Sequence, residues 1–248
     1  MKRFAGESAF SWTKDDRKKC TYKDMTANVK EPVQLFRIEP RWPVVLAILA
    51  VILMVVLLPE RVVLFPAWAP YIIGIALILP MAAVGLSAEK ARWLRVERTI
   101  MVLFIVAMGV GTLANLASLI GAMVRRSAEI GGLQLLTSSV AVWVTNVLTF
   151  SLLYWRIDRG GPEARANNAG TKPDWLFPQA GVGEDVPSDW RPTFVDYLFL
   201  GFSTATAFSP TDALPLTSRA KMLMMLESTM SLGTIVVVAS RAINILGS

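Results

Sequence analysis

Two groups of residues near the carboxyl end have the types and spacing to do chemistry. The first is the turn Ser209-Pro210-Thr211-Asp212. It follows an apolar run from Thr193 to Phe208, about 16 residues, which is short for a bilayer crossing of about 20 residues. Hydroxyls and a carboxylate at membrane depth are tolerated only where the backbone is buried in protein or lines water. There they can contact a permeating ion. The second group is Glu227 and Arg241, in or near the last apolar stretch. Charges there are costly and mark a functional site by default. Their spacing of about 14 residues is close to four helical turns, so both fall on one face. The structural alternative is that Glu227 bonds the short helix before the turn and Arg241 snorkels to an interface.

Other chemistries are poorly served. The chain has no histidine, which removes the usual general base and the commonest metal ligand. Its single cysteine, Cys20, can form neither an internal disulfide nor a thiolate cluster. No glycine-rich phosphate cradle is present, and no carboxylates are paired for acid–base work. Asp196 and Asp212 are the close acidic candidates, and both suit a short helix and its mouth. The expectation is a protein that is not an enzyme, with no catalytic residues, no cofactor and no resident metal.

The elements that must position these residues read as membrane helices. The 248 residues are 54% hydrophobic and only 18% charged, against about 25% charged in ordinary soluble domains. Five apolar stretches are long enough to cross: 42–58, 68–86 with a kink expected at Pro80, 99–124, 133–155 and 220–246. Trp42, Trp68, Trp93 and Trp155 lie near their ends, where headgroup anchoring is expected. In the third stretch Ala107, Gly111, Ala114, Ser118 and Ala122 form a small-residue stripe that would admit a neighbouring backbone. Asn115 and Asn146 lie within spans and are expected to make interhelical hydrogen bonds.

The organisation follows: a basic tail over 1–42, four crossings over 43–155, a polar exposed linker over 156–193, and a unit over 194–248 holding the short helix, the turn and the last span. Within the linker, Trp175-Leu176-Phe177-Pro178 is an apolar island suited to the membrane interface. The net charge of +6 and pI near 9.7 reflect Lys and Arg in tail and loops, so nucleic acid is not an expected partner. With the tail inside, the inner loops hold Lys90, Arg92, Arg95, Arg98, Arg156, Arg159, Arg165, Lys172 and Arg191. The outer loops hold only Arg61, Arg125 and Arg126. The N-terminus is therefore expected in the cytoplasm of a cell with a bacterial inner (plasma) membrane.

The carboxyl-terminal unit resembles the pore module of tetrameric potassium channels, above all the small bacterial ones. Laid without gaps, their filter threonines fall on Thr206 and Ala207, and the Val-Gly-Tyr-Gly run on Phe208, Ser209, Pro210 and Thr211. The following Asp falls on Asp212, the Pro on Pro215, a basic residue on Lys221, the Leu-Glu pair on Leu226-Glu227 and the closing Arg on Arg241. The likeness covers 194–248, roughly a fifth of the chain. The whole chain is also similar to a group of uncharacterised multi-span bacterial membrane proteins with a degenerate filter segment. Both filter glycines are replaced, by Ser209 and Thr211, and Pro210 stands at the tyrosine position. Glycine supplies backbone conformations that a Cβ disfavours, and proline removes an N–H.

The resemblance implies a homo-oligomer, a tetramer by analogy, seated in a lipid bilayer. Thr204, Thr206, Ser209, Thr211 and Asp212 would then form a ring of hydroxyls and carboxylates with weak preference for monovalent cations. The alternative is a non-conducting subunit or scaffold that uses a relic pore-loop fold for assembly. The expected class is an all-α membrane protein with about five transmembrane helices and a re-entrant, pore-helix-like segment before the last one. In the potassium channels the helix before the pore loop runs from inside to outside, whereas the charge count here sends 133–155 the other way. An inverted re-entrant unit, a sixth crossing at 194–210, or a failed charge rule each resolves this.

Overall fold

The computed structural model describes residues 39–57, 74–76, 79, 90–124, 132–167, 172–180, 186–187, 190–206 and 213–246. Most of the tail, most of the second candidate span with Trp68 and Pro80, the outer residues Arg61, Arg125 and Arg126, and 207–212 lie outside the described residues. The protein is mostly helical. Its elements in chain order are α1 (Trp42–Leu57), α2 (Lys90–Val124), α3 (Gly132–Ile157), a 3-10 turn (Asp158–Gly160), α4 (Pro162–Ala166), β1 (Trp175–Leu176), a second 3-10 turn (Pro178–Ala180), α5 (Phe194–Thr206), β2 (Leu214–Pro215) and α6 (Ser218–Leu246).

Among the described residues, three helices are long and apolar enough to cross a membrane: Trp93–Gly121, Leu136–Gly160 and Ser218–Ser240. Helix α1 is a shorter apolar helix. The outward faces of α2 and α6 carry Leu103, Val106, Val110 and Leu113, and Met222, Met225, Leu232 and Val236, all exposed. Such continuous apolar surface is unusual on a soluble monomer and ordinary against lipid. These observations mark an integral membrane protein.

Helix α3 is the axis of the bundle, with 61% of its span buried against 28% for α2 and for α6. It touches α1, α2, α5 and α6. Close contacts fix the directions of its neighbours. Trp155 packs edge-on to Phe194 with centroids 6.3 Å apart, and Trp143 meets Phe202 at 5.9 Å, so α5 runs antiparallel to α3. Tyr154 bonds Glu227 and Asn146 bonds Ser231, so α6 is antiparallel to α3 as well. Helices α5 and α6 therefore point the same way. Ser228 Oγ, about ten residues into α6, donates to the Thr204 carbonyl about ten residues into α5, at 3.0 Å. Both helices start at one end of the bundle, hereafter the linker end. Glu39 and Arg41, which precede α1, bond Trp155 and the α2 residue Glu97, so α1 and α2 start there too.

Local signals explain the boundaries. Asp196 in the first turn of α5 closes its start: its Oδ2 accepts from the Thr193 amide at 2.7 Å and from the Thr193 hydroxyl at 2.9 Å, the return half of a capping box. Thr217 caps α6 by accepting from the Ala220 amide at 3.2 Å. Helix α3 ends where Arg159, Gly160 and Gly161 all take positive φ, of 53°, 83° and 105°. At Gly161 a β-carbon would also lie 2.8 Å from Arg156 Nη1, so both conformation and space call for glycine. Helix α2 begins at Lys90 rather than near 99, because its charged first turns are built of good helix formers.

Three expectations are revised. The linker is not an exposed connection: Arg156, Asp158, Arg165, Asp174, Trp175 and Phe177 are buried. Ion pairs and the β1–β2 pairing, Trp175 opposite Pro215 and Leu176 opposite Leu214, hold it to the helices. Trp155 and Trp175 are core residues, 1% and 0% exposed, instead of headgroup anchors, whereas Trp42 is 66% exposed. The small-residue stripe of α2 is not its packed face. Its buried face is Met101, Phe104, Ile105, Thr112, Leu116 and Leu119, with Leu116 3.3 Å from where a Gly233 β-carbon would sit.

Candidate functional site

Glu227 lies at the junction of α3, α5 and α6 and is 0% exposed. Its Oε2 accepts from the Tyr154 hydroxyl at 2.5 Å. Its Oε1 is buried with no hydrogen-bond partner. That oxygen faces Gly201 of α5, where a β-carbon would stand 3.3 Å from it, 3.3 Å from the Val147 carbonyl, and in collision with Ser151 Oγ. Glycine thus lets the α5 backbone rest directly on α3 and on the carboxyl. Ser151 itself donates to the Val147 carbonyl at 2.7 Å. One turn along, Asn146 Nδ2 donates to the Glu227 carbonyl at 3.2 Å and to Ser231 Oγ at 2.9 Å. Asn146 is thus the interhelical bond its type suggested. Its Oδ1 and that of Asn115 are buried without a hydrogen-bond partner.

A second polar cluster closes the linker end. Asp158, 0% exposed, accepts the Asp174 amide at 2.7 Å and the Tyr197 hydroxyl at 2.5 Å. Arg165 spans the cluster. It donates to the carbonyls of Trp155 at 2.7 Å and Asp158 at 3.0 Å, and it grips both oxygens of Glu39 at 3.2 Å. Its guanidinium lies 4.9 Å from the centre of the Tyr197 ring. Glu39 also accepts from Trp155 Nε1 at 3.0 Å. Asp174 accepts from Thr217 Oγ1 at 2.6 Å and from Arg219, joining the linker to the start of α6. Arg41 pairs with Glu97, while Arg156 pairs with Glu163 at 3.2 Å. The cluster fixes where α5 enters the bundle.

Of the residues singled out from sequence, Thr204, Thr206, Glu227 and Arg241 fall in described helices. Thr204 is buried at the α5–α6 contact, and its hydroxyl donates to the Leu200 carbonyl at 2.8 Å. The Thr206 hydroxyl donates to the Phe202 carbonyl at 3.0 Å. Glu227 and Arg241 share α6. Ala207, Phe208, Ser209, Pro210, Thr211 and Asp212 lie outside the described residues. Gly201, Tyr154, Asp158, Tyr197 and Arg165 were not singled out as a site. A glycine inside an apolar helix was the one signal available for Gly201. Among the described residues, no group of histidine, cysteine, aspartate and glutamate is arranged to hold a metal ion. Compared with known proteins, this chain matches no family model, no curated protein and no solved structure.

Proposed function

We propose that this protein is an oligomeric, ion-channel-like membrane protein built on a pore-loop unit, with a non-standard filter and a weak preference for cations. The observation that carries the reading is the parallel course of α5 and α6 from the linker end. Two consecutive crossings would run antiparallel. At 13 residues α5 is about 20 Å long, against a hydrocarbon core of about 30 Å. Because Ala213 to Ser218 lie back at the linker end, the reading takes the connection after Thr206 as a re-entrant loop. By the same reasoning, α1 and α2 both start at the linker end, which favours a further crossing between them. This favours five crossings, the second over 68–86.

The basic residues at the linker end, among them Lys90, Arg95, Arg98, Arg156 and Arg165, support a cytoplasmic linker end. The loop then enters from the side opposite to that in potassium channels. Asp212 and the hydroxyls around it line the opening, where an acidic ring attracts cations. The test is purified protein in planar bilayers. Wild type is expected to pass monovalent cations over chloride, and Asp212→Asn to lower that preference several-fold while the oligomer stays intact. An intact oligomer with no cation current, and no change on Asp212→Asn, points to the second reading, a non-conducting assembly subunit. The engagement of the Thr204 and Thr206 hydroxyls with α5's own carbonyls favours that second reading.

A further inference from the structure

We propose that Glu227 is an intramembrane proton-binding site, carried as the carboxylic acid, which pins α5 and α6 to α3 while the proton is bound. The geometry makes the case. The side chain is wholly buried, and the one hydrogen bond it accepts comes from a neutral phenol. Its other oxygen has no hydrogen-bond partner. Glu227 forms no ion pair in the described structure. From α3 it faces Tyr154, Ser151 and Asn146, of which only Tyr154 titrates. From α5 it faces Gly201, and the titratable groups of that helix are engaged elsewhere: Asp196 with Thr193, Tyr197 with Asp158. On α2 the buried Glu97 is paired with Arg41. Trp175 of β1 lies against Tyr154, ring centroids 4.8 Å apart and tilted by 50°, and donates to Met224 Sδ, covering the linker side with apolar surface.

An isolated carboxylate moved into such a place costs far more than one phenolic hydrogen bond returns, and the group neutralises instead. Proton uptake converts the carboxylate to the acid and requires nothing else. The acid keeps Oε2 as acceptor for Tyr154 and carries its proton on Oε1, which faces the same Gly201 position of α5 as Ser151 Oγ and the Val147 carbonyl. Loss of the proton leaves a negative charge that only the Tyr154 hydroxyl solvates, beside the α5 backbone at Gly201. The expected result is loosening of the α5–α6 contact that holds Thr204 to Ser228.

Infrared difference spectra between wild type and Glu227→Gln, in lipid at neutral pH, read the protonation state directly. The expected loss is a carbonyl band of a protonated carboxyl that shifts in heavy water. Loss of the symmetric and antisymmetric carboxylate bands instead overturns the proposal. Tyr154→Phe provides an independent reading should the glutamine variant fail to fold. Removing the phenol's hydrogen bond is expected to raise the same carbonyl frequency, and a shift confined to the carboxylate bands refutes the inference. Neither readout depends on ion conduction, so the result stands apart from the pore reading.

Discussion

Gly201→Ala is expected to lower the unfolding free energy by about 1–3 kcal/mol, the usual cost of adding a methyl to a packed core. Gly201→Leu is expected to prevent α5 from docking. The added β-carbon meets Ser151 Oγ, the Val147 carbonyl and Glu227 Oε1 at once, two of them belonging to a helix that cannot move without disturbing the whole bundle. Detergent-titrated or thermal unfolding of the purified protein measures the effect. A double-mutant cycle sharpens it. Ser151→Ala removes the closest obstacle, so Gly201→Ala should cost less in that background, with a coupling of about 0.5–3 kcal/mol. An alanine at 201 with unchanged stability in both backgrounds contradicts the contact.

Arg165→Ala is expected to cost about 2–4 kcal/mol, because it strips the charged partner from a half-buried carboxylate and leaves two buried carbonyls without their donor. Arg165 is 3% exposed and ties Glu39 ahead of α1, the end of α3 and the Tyr197 ring of α5 into one cluster. Arg165→Lys should recover little. An ammonium cannot grip both Glu39 oxygens, reach two carbonyls and lie flat on a phenol ring together. Because the cluster sets the entry of α5, both variants should also raise proteolysis within 172–193 in intact membranes. Stability and proteolysis like wild type in Arg165→Lys would show that charge alone suffices and that the fork geometry is idle.

The helices with long apolar runs were legible because hydrophobic length and the tryptophan and proline marks are local signals. The expected bounds 42–58, 133–155 and 220–246 lie within a few residues of α1, α3 and α6. Helix α2 was read nine residues short because Lys90 to Arg98 looks like a loop by charge. In the folded chain Glu97 meets Arg41, and that pairing spans 56 positions. The linker was misread for the same reason. Gly160-Gly161-Pro162 and Asn167-Asn168 are turn signals, but what buries the linker is pairing at a distance, Arg165 with Glu39 across 126 positions and Asp174 with Arg219 across 45. No window along the sequence contains both partners. For Glu227, residue type and place in a span marked it, but the structural alternative had it bond the short helix before the turn, α5, whereas its hydrogen bond comes from α3. Its donor, Tyr154, sits 73 positions away on α3 and had no mark of its own.

The central claim is that the chain enters the bundle with α5 and leaves by the same face before α6 crosses. Side-specific labelling with a membrane-impermeant thiol reagent tests it most directly, using single cysteines at Lys172, Ser218 and Ser248 in a Cys20→Ser background. The account predicts that positions 172 and 218 react from one side of the membrane and 248 from the other. Reaction of 172 and 218 from opposite sides would mean that 194–217 is a full crossing, and the pore-loop reading would fall with it.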